Sequence, residues 1–450
     1  MTTPDDPRDE NNQHSTRDPR SARSGLNVPA LPGLPGPPGS GLSGPSLAGL
    51  PDRSGSAVRL PFGVADHLPP EAKALRDHAE AISRVFELYG YDRVITPLFE
   101  LNDVLDRGLG AAARPSVFRF VDPATGDVVV LRPDFTAQIA RLVAAHLVER
   151  PRPLRLYYEG RVARAADPLG HGLLTRELFQ AGLELIGTSE PWADLEVLSV
   201  GLACLGALGH TPTIDLCHAG IVDPLIELSA PNSQRHRKQA REALAVKDPV
   251  WLKQVAPALV PLIDLYGERE VLTRARRELR AAPKRVHQAI DELDSLADLL
   301  AAKHPSVRLT FDLGEQRNLG YYTGFFFHGY VEGASDAIMV GGRYDHLLEQ
   351  FQTPEPAVGL AIDMGTLAGR LLHGRPRERS GVVMAEVDLR RPELGEEAAR
   401  RRAQGERTAI VAADDAQLYA RINGFRAICR KTANGALEEV PVTDQTTDIE

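Results

Sequence analysis

The stretch RNLGYYTGFFFHGY, residues 317–330, places six aromatic rings in fourteen positions of a 450-residue chain that is only 6% aromatic. Such a run can be a tightly packed strand, since buried rings favour offset and edge-on contacts, or it can wall a pocket for a planar ligand. Strand alternation would split Phe325, Phe326 and Phe327 between core and pocket, so the two uses are compatible. Other candidates for chemistry are sparse. Cys204, Cys217 and Cys429 stand far apart with no CxxC pair, so neither a zinc site nor a disulfide framework is proposed, and all three read as small buried apolar residues. His171 lies in a polar loop without a companion ligand, so no metal and no cofactor is expected.

The elements that would position such a pocket start near residue 57. Ala72, Leu75, Ala79, Ile82, Phe86 and Tyr89 recur at helical spacing behind Pro70, and Gly90 supplies a stop, which predicts an amphipathic helix. A strand DRVITPLFE follows, whose Pro97 suits an edge, a bulge or a subunit interface. FRFVDPATGDVVVLRPD reads as a hairpin, and LRLYYEGRVARA with RELFQAGLELIG as a second antiparallel pair. From about 221 to 303 the period is helical with alternating charge, which predicts an all-helical insertion. Strands resume at VRLTFDL, YYTGFFFHGYV, DAIMVGG and PAVGLAIDM, with RYDHLLEQF expected as helix. After about 375, strand and helix alternate as in a small α/β unit.

Composition bounds the rest. Residues 1–56 mix charged residues with a Pro/Gly/Ser run lacking any period, the signature of a disordered tail. The remaining length, in a chain that is 43% hydrophobic, can supply more than one core. No stretch approaches the roughly 18 uninterrupted apolar residues of a membrane span, nor does the N-terminus read as a secretion signal, so a cytoplasmic protein is expected. A formal charge of −9 argues mildly against a protein devoted to gripping phosphate backbones.

LRPDFTAQ, RELFQAGLELIG, QRNLGYYTG, GGRYD and PAVGLAI together resemble, in order and spacing, the catalytic core of class II histidyl-tRNA synthetases over about residues 58–370, with Pro97 and Glu100 similar to the first class II motif. The resemblance implies an α+β fold, an antiparallel sheet flanked by helices, for residues 57–374, with the helical insertion inside it and a small α/β unit over 375–450. It also implies a histidine pocket. Asp134 would face the ammonium, Gln180 and Glu184 would lie beside the ligand with Glu184 accepting an imidazole N–H, Tyr322 would reach the other ring nitrogen, Tyr321 would wall the site, and Arg317 would meet the carboxylate. A ligand with two N–H sites, a cation and an anion needs such a set.

The departures from that pattern are concentrated where ATP would bind. Thr366 stands at the position of the arginine that clamps the phosphates in the third motif, Ala166 at that of the ATP-contacting glutamate, and Gly320 at that of an aspartate. Arg164 and Arg176 would be relics of a nucleotide site or structural ion pairs. Losing two charged contacts in one site suppresses adenylate formation by orders of magnitude. A synthetase-like core without ATP chemistry is similar to the regulatory subunits of ATP phosphoribosyltransferase, which implies a non-catalytic chain, a short-form catalytic subunit as partner, L-histidine as ligand, and a dimer within a hetero-oligomer. A divergent histidyl-tRNA synthetase and a stand-alone histidine sensor are the alternatives.

Overall fold

A computed structural model describes residues 60–108, 117–165, 175–229, 233–316, 322–334, 336–371, 379–386 and 392–443. The expected tail, residues 1–56, lies outside the described residues. The first half contributes strands β1 Asp92–Arg93, β2 Phe99–Leu101, β3 Arg119–Val121, β4 Val128–Leu131, β5 Leu154–Ala163, β6 Glu177–Ile186 and β7 Thr213–His218. After a helical stretch come β8 Tyr266–Gly267, β9 Arg308–Asp312, β10 Phe325–Tyr330, β11 Met339–Arg343 and β12 Ala357–Asp363. The last four are β13 Val382–Glu386, β14 Thr408–Ala412, β15 Ala427–Lys431 and β16 Leu437–Pro441.

Nine of these strands form one sheet in the order β1-β5-β6-β12-β11-β10-β7-β9-β8. Its two faces are separated by strand alternation. Ala181, Leu183, Leu185, Ile214, Leu216, Phe325, Phe327, Val358, Leu360 and Ile362 point into the main hydrophobic core with helices Glu71–Leu88, Pro191–Ala207, Ala219–Ser229 and Lys284–Lys303. Residues one position out of phase, among them Gln180, Glu184, Asp215, His328 and Asp363, face the other way and line a cavity. Phe325 and Phe327 stack on each other in the core, while Phe326 stacks on Tyr322 with ring centroids 5.4 Å apart.

Helix Glu71–Leu88 buries Leu75, Ala79, Ile82 and Phe86, and Gly90, in the left-handed region at φ 81°, ends its C-terminal turn. Ala72 and Tyr89, expected on the same stripe, are exposed. The sheet is mixed rather than antiparallel throughout, because β1 pairs parallel with β5, and β7 with β9. The parallel return from β7 to β9 is made possible by the intervening chain, since only a long crossover can bring a strand back in the same direction. That crossover is helical over most of 219–303 but is interrupted by the 3₁₀ segment Pro257–Ile263 and by β8, which hydrogen-bonds to β9.

Two smaller sheets complete the fold. β2, β4 and β3 form an antiparallel sheet. β14, β13, β15 and β16 form a separate four-stranded sheet in that order, parallel except for the β15–β16 pair. Leu394 and Ala398 of one helix cover Val382, Met384 and Cys429, and Ala416 and Ala420 of another cover Val383, Ala385 and Ile428. Among the described residues no helix is long and apolar enough to cross a membrane.

Candidate functional site

The segment leading into the site is held by Arg132. Its guanidinium lies 4.0 Å from the Phe135 ring centroid and donates to the carbonyls of Arg161 at 2.8 Å and Thr96 at 3.0 Å. Beside it, the fully buried Gln138 accepts from the Thr96 hydroxyl and donates to the carbonyl of Pro97, while Glu100 accepts from Gln138 and Arg141. Pro97 and Glu100 therefore act as an anchor that locks the chain between β1 and β2 onto helix Thr136–His146. Asp134 follows directly, its Oδ1 accepting from the Thr136 backbone N–H at 2.6 Å at the start of that helix.

Across the cavity, β6 presents Gln180 and Glu184 four residues apart, hence on one face. Glu184 is 2% exposed, accepts a long hydrogen bond from the Tyr158 hydroxyl at 3.4 Å, and has an Oε2 with no hydrogen-bond partner among the described residues. Burial first, and the Asp134 carboxylate second, push its carboxyl well above the usual range. Gly359 is its cross-strand neighbour on β12, and a Cβ there would lie 1.8 Å from Glu184 Oε2. Only glycine leaves this carboxylate room to face into the cavity.

The cavity measures about 470 Å³ and brings together Asp134, Gln180, Glu184, Tyr322 and Arg164. Arg164 donates through Nε to the Pro133 carbonyl at 3.2 Å. Arg176 is not among the lining residues; its guanidinium sits 5.3 Å from the Phe62 ring and 5.7 Å from that of Phe118. Arg317, Tyr321, Ala166, Gly320 and His171 lie outside the described residues. Thr366 donates its hydroxyl to Asp363 Oδ2 at 2.7 Å and its backbone N–H to Oδ1, so it closes the first turn of helix Met364–Leu371 instead of reaching the cavity.

Charge is the site's most distinctive property. The described lining residues include seven carboxyl groups, on Asp134, Glu184, Asp215, Asp312, Glu315, Asp336 and Asp363, against one guanidinium, on Arg164, and even with Glu184 resisting ionisation the acidic groups outnumber the basic one. A surface of that sign attracts ammonium and imidazole N–H groups and repels a polyphosphate. Sequence reasoning missed Arg132, Gly359 and this acidic end. Glycine inside the strand pattern PAVGLAI was a readable sign of close approach, whereas the carboxylates come from strands and loops that only tertiary pairing collects.

The mixed sheet with core helices on one face and an acidic, glycine-floored cavity on the other is the architecture of a class II aminoacyl-tRNA synthetase core. A family model described as histidyl-tRNA synthetase matches residues 63–367. The ATP phosphoribosyltransferase regulatory subunit of Geobacter metallireducens is 38% identical over 323 residues, covering 69% of this chain and 73% of that one. That of Anaeromyxobacter dehalogenans is 40% identical over 334 residues, covering 71% and 94%. A crystal structure from Bacillus halodurans, described as an ATP phosphoribosyltransferase regulatory subunit/histidyl-tRNA synthetase, superposes with a TM-score of 0.71 at 29% identity, covering 83% of this chain and 98% of that one. Histidyl-tRNA synthetase from Nostoc sp. PCC 7120 shares the fold, with a TM-score of 0.67 at 19% identity over 86% of this chain and 97% of that one. The chain belongs to the ATP phosphoribosyltransferase regulatory subunit family, a paralogue of class II histidyl-tRNA synthetase.

Proposed function

We propose that this chain is the non-catalytic regulatory subunit of a hetero-oligomeric ATP phosphoribosyltransferase, required with a short-form catalytic subunit for the first step of L-histidine biosynthesis, and that its cavity binds L-histidine to mediate feedback. The observation that carries this reading is the division within one cavity: Asp134, Gln180, Glu184 and Tyr322 are gathered around it, while Thr366 is consumed in a helix turn and an acidic excess among the described lining residues opposes a triphosphate. In this reading the Asp134 carboxylate takes the ligand's ammonium and Glu184 Oε2 an imidazole N–H, which their shared position in the cavity lining supports. Tyr322, stacked on Phe326, lines the same cavity and in this reading meets the other ring nitrogen. Arg317 and Tyr321 are assigned to the carboxylate and the pocket wall by the family pattern. Coupling requires that histidine bind two states of the complex with different affinity.

The test is reconstitution. Phosphoribosyl-ATP formation is measured with the short-form catalytic subunit alone, with this chain added, and with histidine titrated in. Activity that needs both chains, and inhibition lost in Glu184→Ala while the complex still assembles, is the expected result. Histidine-dependent ATP–pyrophosphate exchange by this chain alone would instead establish a divergent synthetase and end the regulatory reading.

A further inference from the structure

At the acidic end of the cavity, β7 and β10 run antiparallel with Asp215 directly opposite His328 and Cys217 opposite Phe326. Asp215 and Cys217 are two apart on one strand and so share the face that His328 occupies on the next. A carboxylate oxygen of Asp215, the Cys217 Sγ and a ring nitrogen of His328 all lie within 4.8 Å of one another. Cys217 and His328 are buried, and Cys217 belongs to none of the hydrophobic clusters that absorb Cys204 and Cys429. Its thiol faces the charges of Asp215, Glu315 and Asp312. An apolar packing role does not account for a thiol placed among carboxylates.

We propose that Asp215, Cys217 and His328 form a three-ligand site for a divalent transition-metal ion of the Zn²⁺ class, with its fourth position open to the cavity. Tetrahedral zinc takes thiolate, imidazole and carboxylate donors at about 2.3, 2.0 and 2.1 Å, which sets the donors about 3.3–3.7 Å apart. The metal-free spacing is therefore within side-chain adjustment of a bound one. The mixed S, N and O set favours zinc or a neighbouring transition metal over magnesium or calcium, which prefer oxygen alone. An orienting partner is already in place: the Thr310 hydroxyl donates to Asp215 Oδ1 at 2.7 Å, which leaves Oδ2 as the oxygen facing Cys217 Sγ, 4.0 Å away. Asp215 and His328 line the cavity, so it is the ion's path inward. On coordination the Cys217 thiol gives its proton to solvent, so the step needs no oxidant or further reactant.

The full chain, stripped with a chelator and dialysed against Co²⁺ alone, is read by absorption spectroscopy, and Zn²⁺ affinity by competition with a chromophoric chelator. One Co²⁺ per chain is expected, with a thiolate-to-cobalt charge-transfer band that is absent in Cys217→Ser and retained in Cys204→Ser and Cys429→Ser. Thr310→Val, which keeps all three ligands, is expected to weaken Zn²⁺ binding by about 10- to 100-fold. Absence of the charge-transfer band from the folded wild-type chain overturns the site whatever the variants do. So does a band that survives Cys217→Ser, or Zn²⁺ affinity unchanged by both His328→Asn and Thr310→Val.

Discussion

Under the proposed histidine-binding role, Glu184 carries an opposition between stability and recognition in a single side chain. One of its oxygens is buried without a hydrogen-bond partner among the described residues, and burial first and Asp134 second oppose its ionisation. A carboxyl held above the 4.5 of a free glutamate makes the folded chain bind more protons than the unfolded one. Its contribution to stability is thus fully present below that ordinary value and is lost as pH rises through the raised one. Glu184→Gln removes this titration. Its urea midpoint is expected to decline less than that of the wild type as pH is raised from mildly acidic to alkaline, while histidine, titrated calorimetrically, binds about 10- to 100-fold more weakly, the equivalent of one lost hydrogen bond to a charged group, ~1.5–3 kcal/mol. Parallel pH profiles for the two chains would mean that Glu184 is not the group whose charge the fold resists. The face this residue occupies was legible, because Gln180 and Glu184 differ by an even number of positions. The room it occupies was not, since that depends on Gly359, which strand pairing places across from it.

At the scale of elements, periodicity located most strands and failed where a polar clamp overrode it. DRVITPLFE reads as one strand, yet the chain divides at Thr96–Pro97 into β1, which joins the large sheet, and β2, which joins the small one. Pro97 has no N–H to donate to a ladder, and its carbonyl with that of Thr96 is taken by Arg132 and Gln138. RYDHLLEQF was likewise legible as helix, but only Leu348–Phe351 winds, as a 3₁₀ turn ended by Gln352 at φ 61°. There Asp345 is committed to Arg343 and to the Ala357 backbone N–H, so it cannot start a regular helix. β16 went unread because LEEVP is a charged edge strand formed by pairing with β15. Arg132, 7% exposed, joins the two sheets at the break. Arg132→Ala removes donors from the carbonyls of the buried Thr96 and of Arg161, and a cost of about 1.5–3 kcal/mol in urea unfolding is expected. A change under about 0.5 kcal/mol, the usual range of a surface substitution, would show that the break holds without it.

Among the described residues, an apolar surface lies uncovered on and beside the three-stranded sheet. Ile95 is 80% exposed, Phe99 53% and Val121 62%, and Leu98, Leu101, Phe120 and Val128 add to them, with Phe99 and Phe120 in edge contact at 5.5 Å. Single exposed apolar residues are ordinary; a group this dense on the three strands β2, β4 and β3 and the segment leading into them marks an association surface. It is also the surface that the Pro97–Glu100 anchor fixes to helix Thr136–His146, so its shape is tied to that of the cavity wall carrying Asp134. A second copy of this chain is the partner proposed for it, since one apolar patch on a two-fold axis completes itself. Ile95 makes the sharpest probe because it is the most exposed of the set, so replacing it leaves the monomer core intact. Light scattering during gel filtration is expected to give a dimer mass for the wild-type chain and a monomer mass for Ile95→Asp, with unchanged circular dichroism, because two carboxylates buried against each other cost more than the apolar contact returns. A wild-type monomer, or a dimer indifferent to Ile95→Asp, would place the subunit contact elsewhere and free this surface for the catalytic partner.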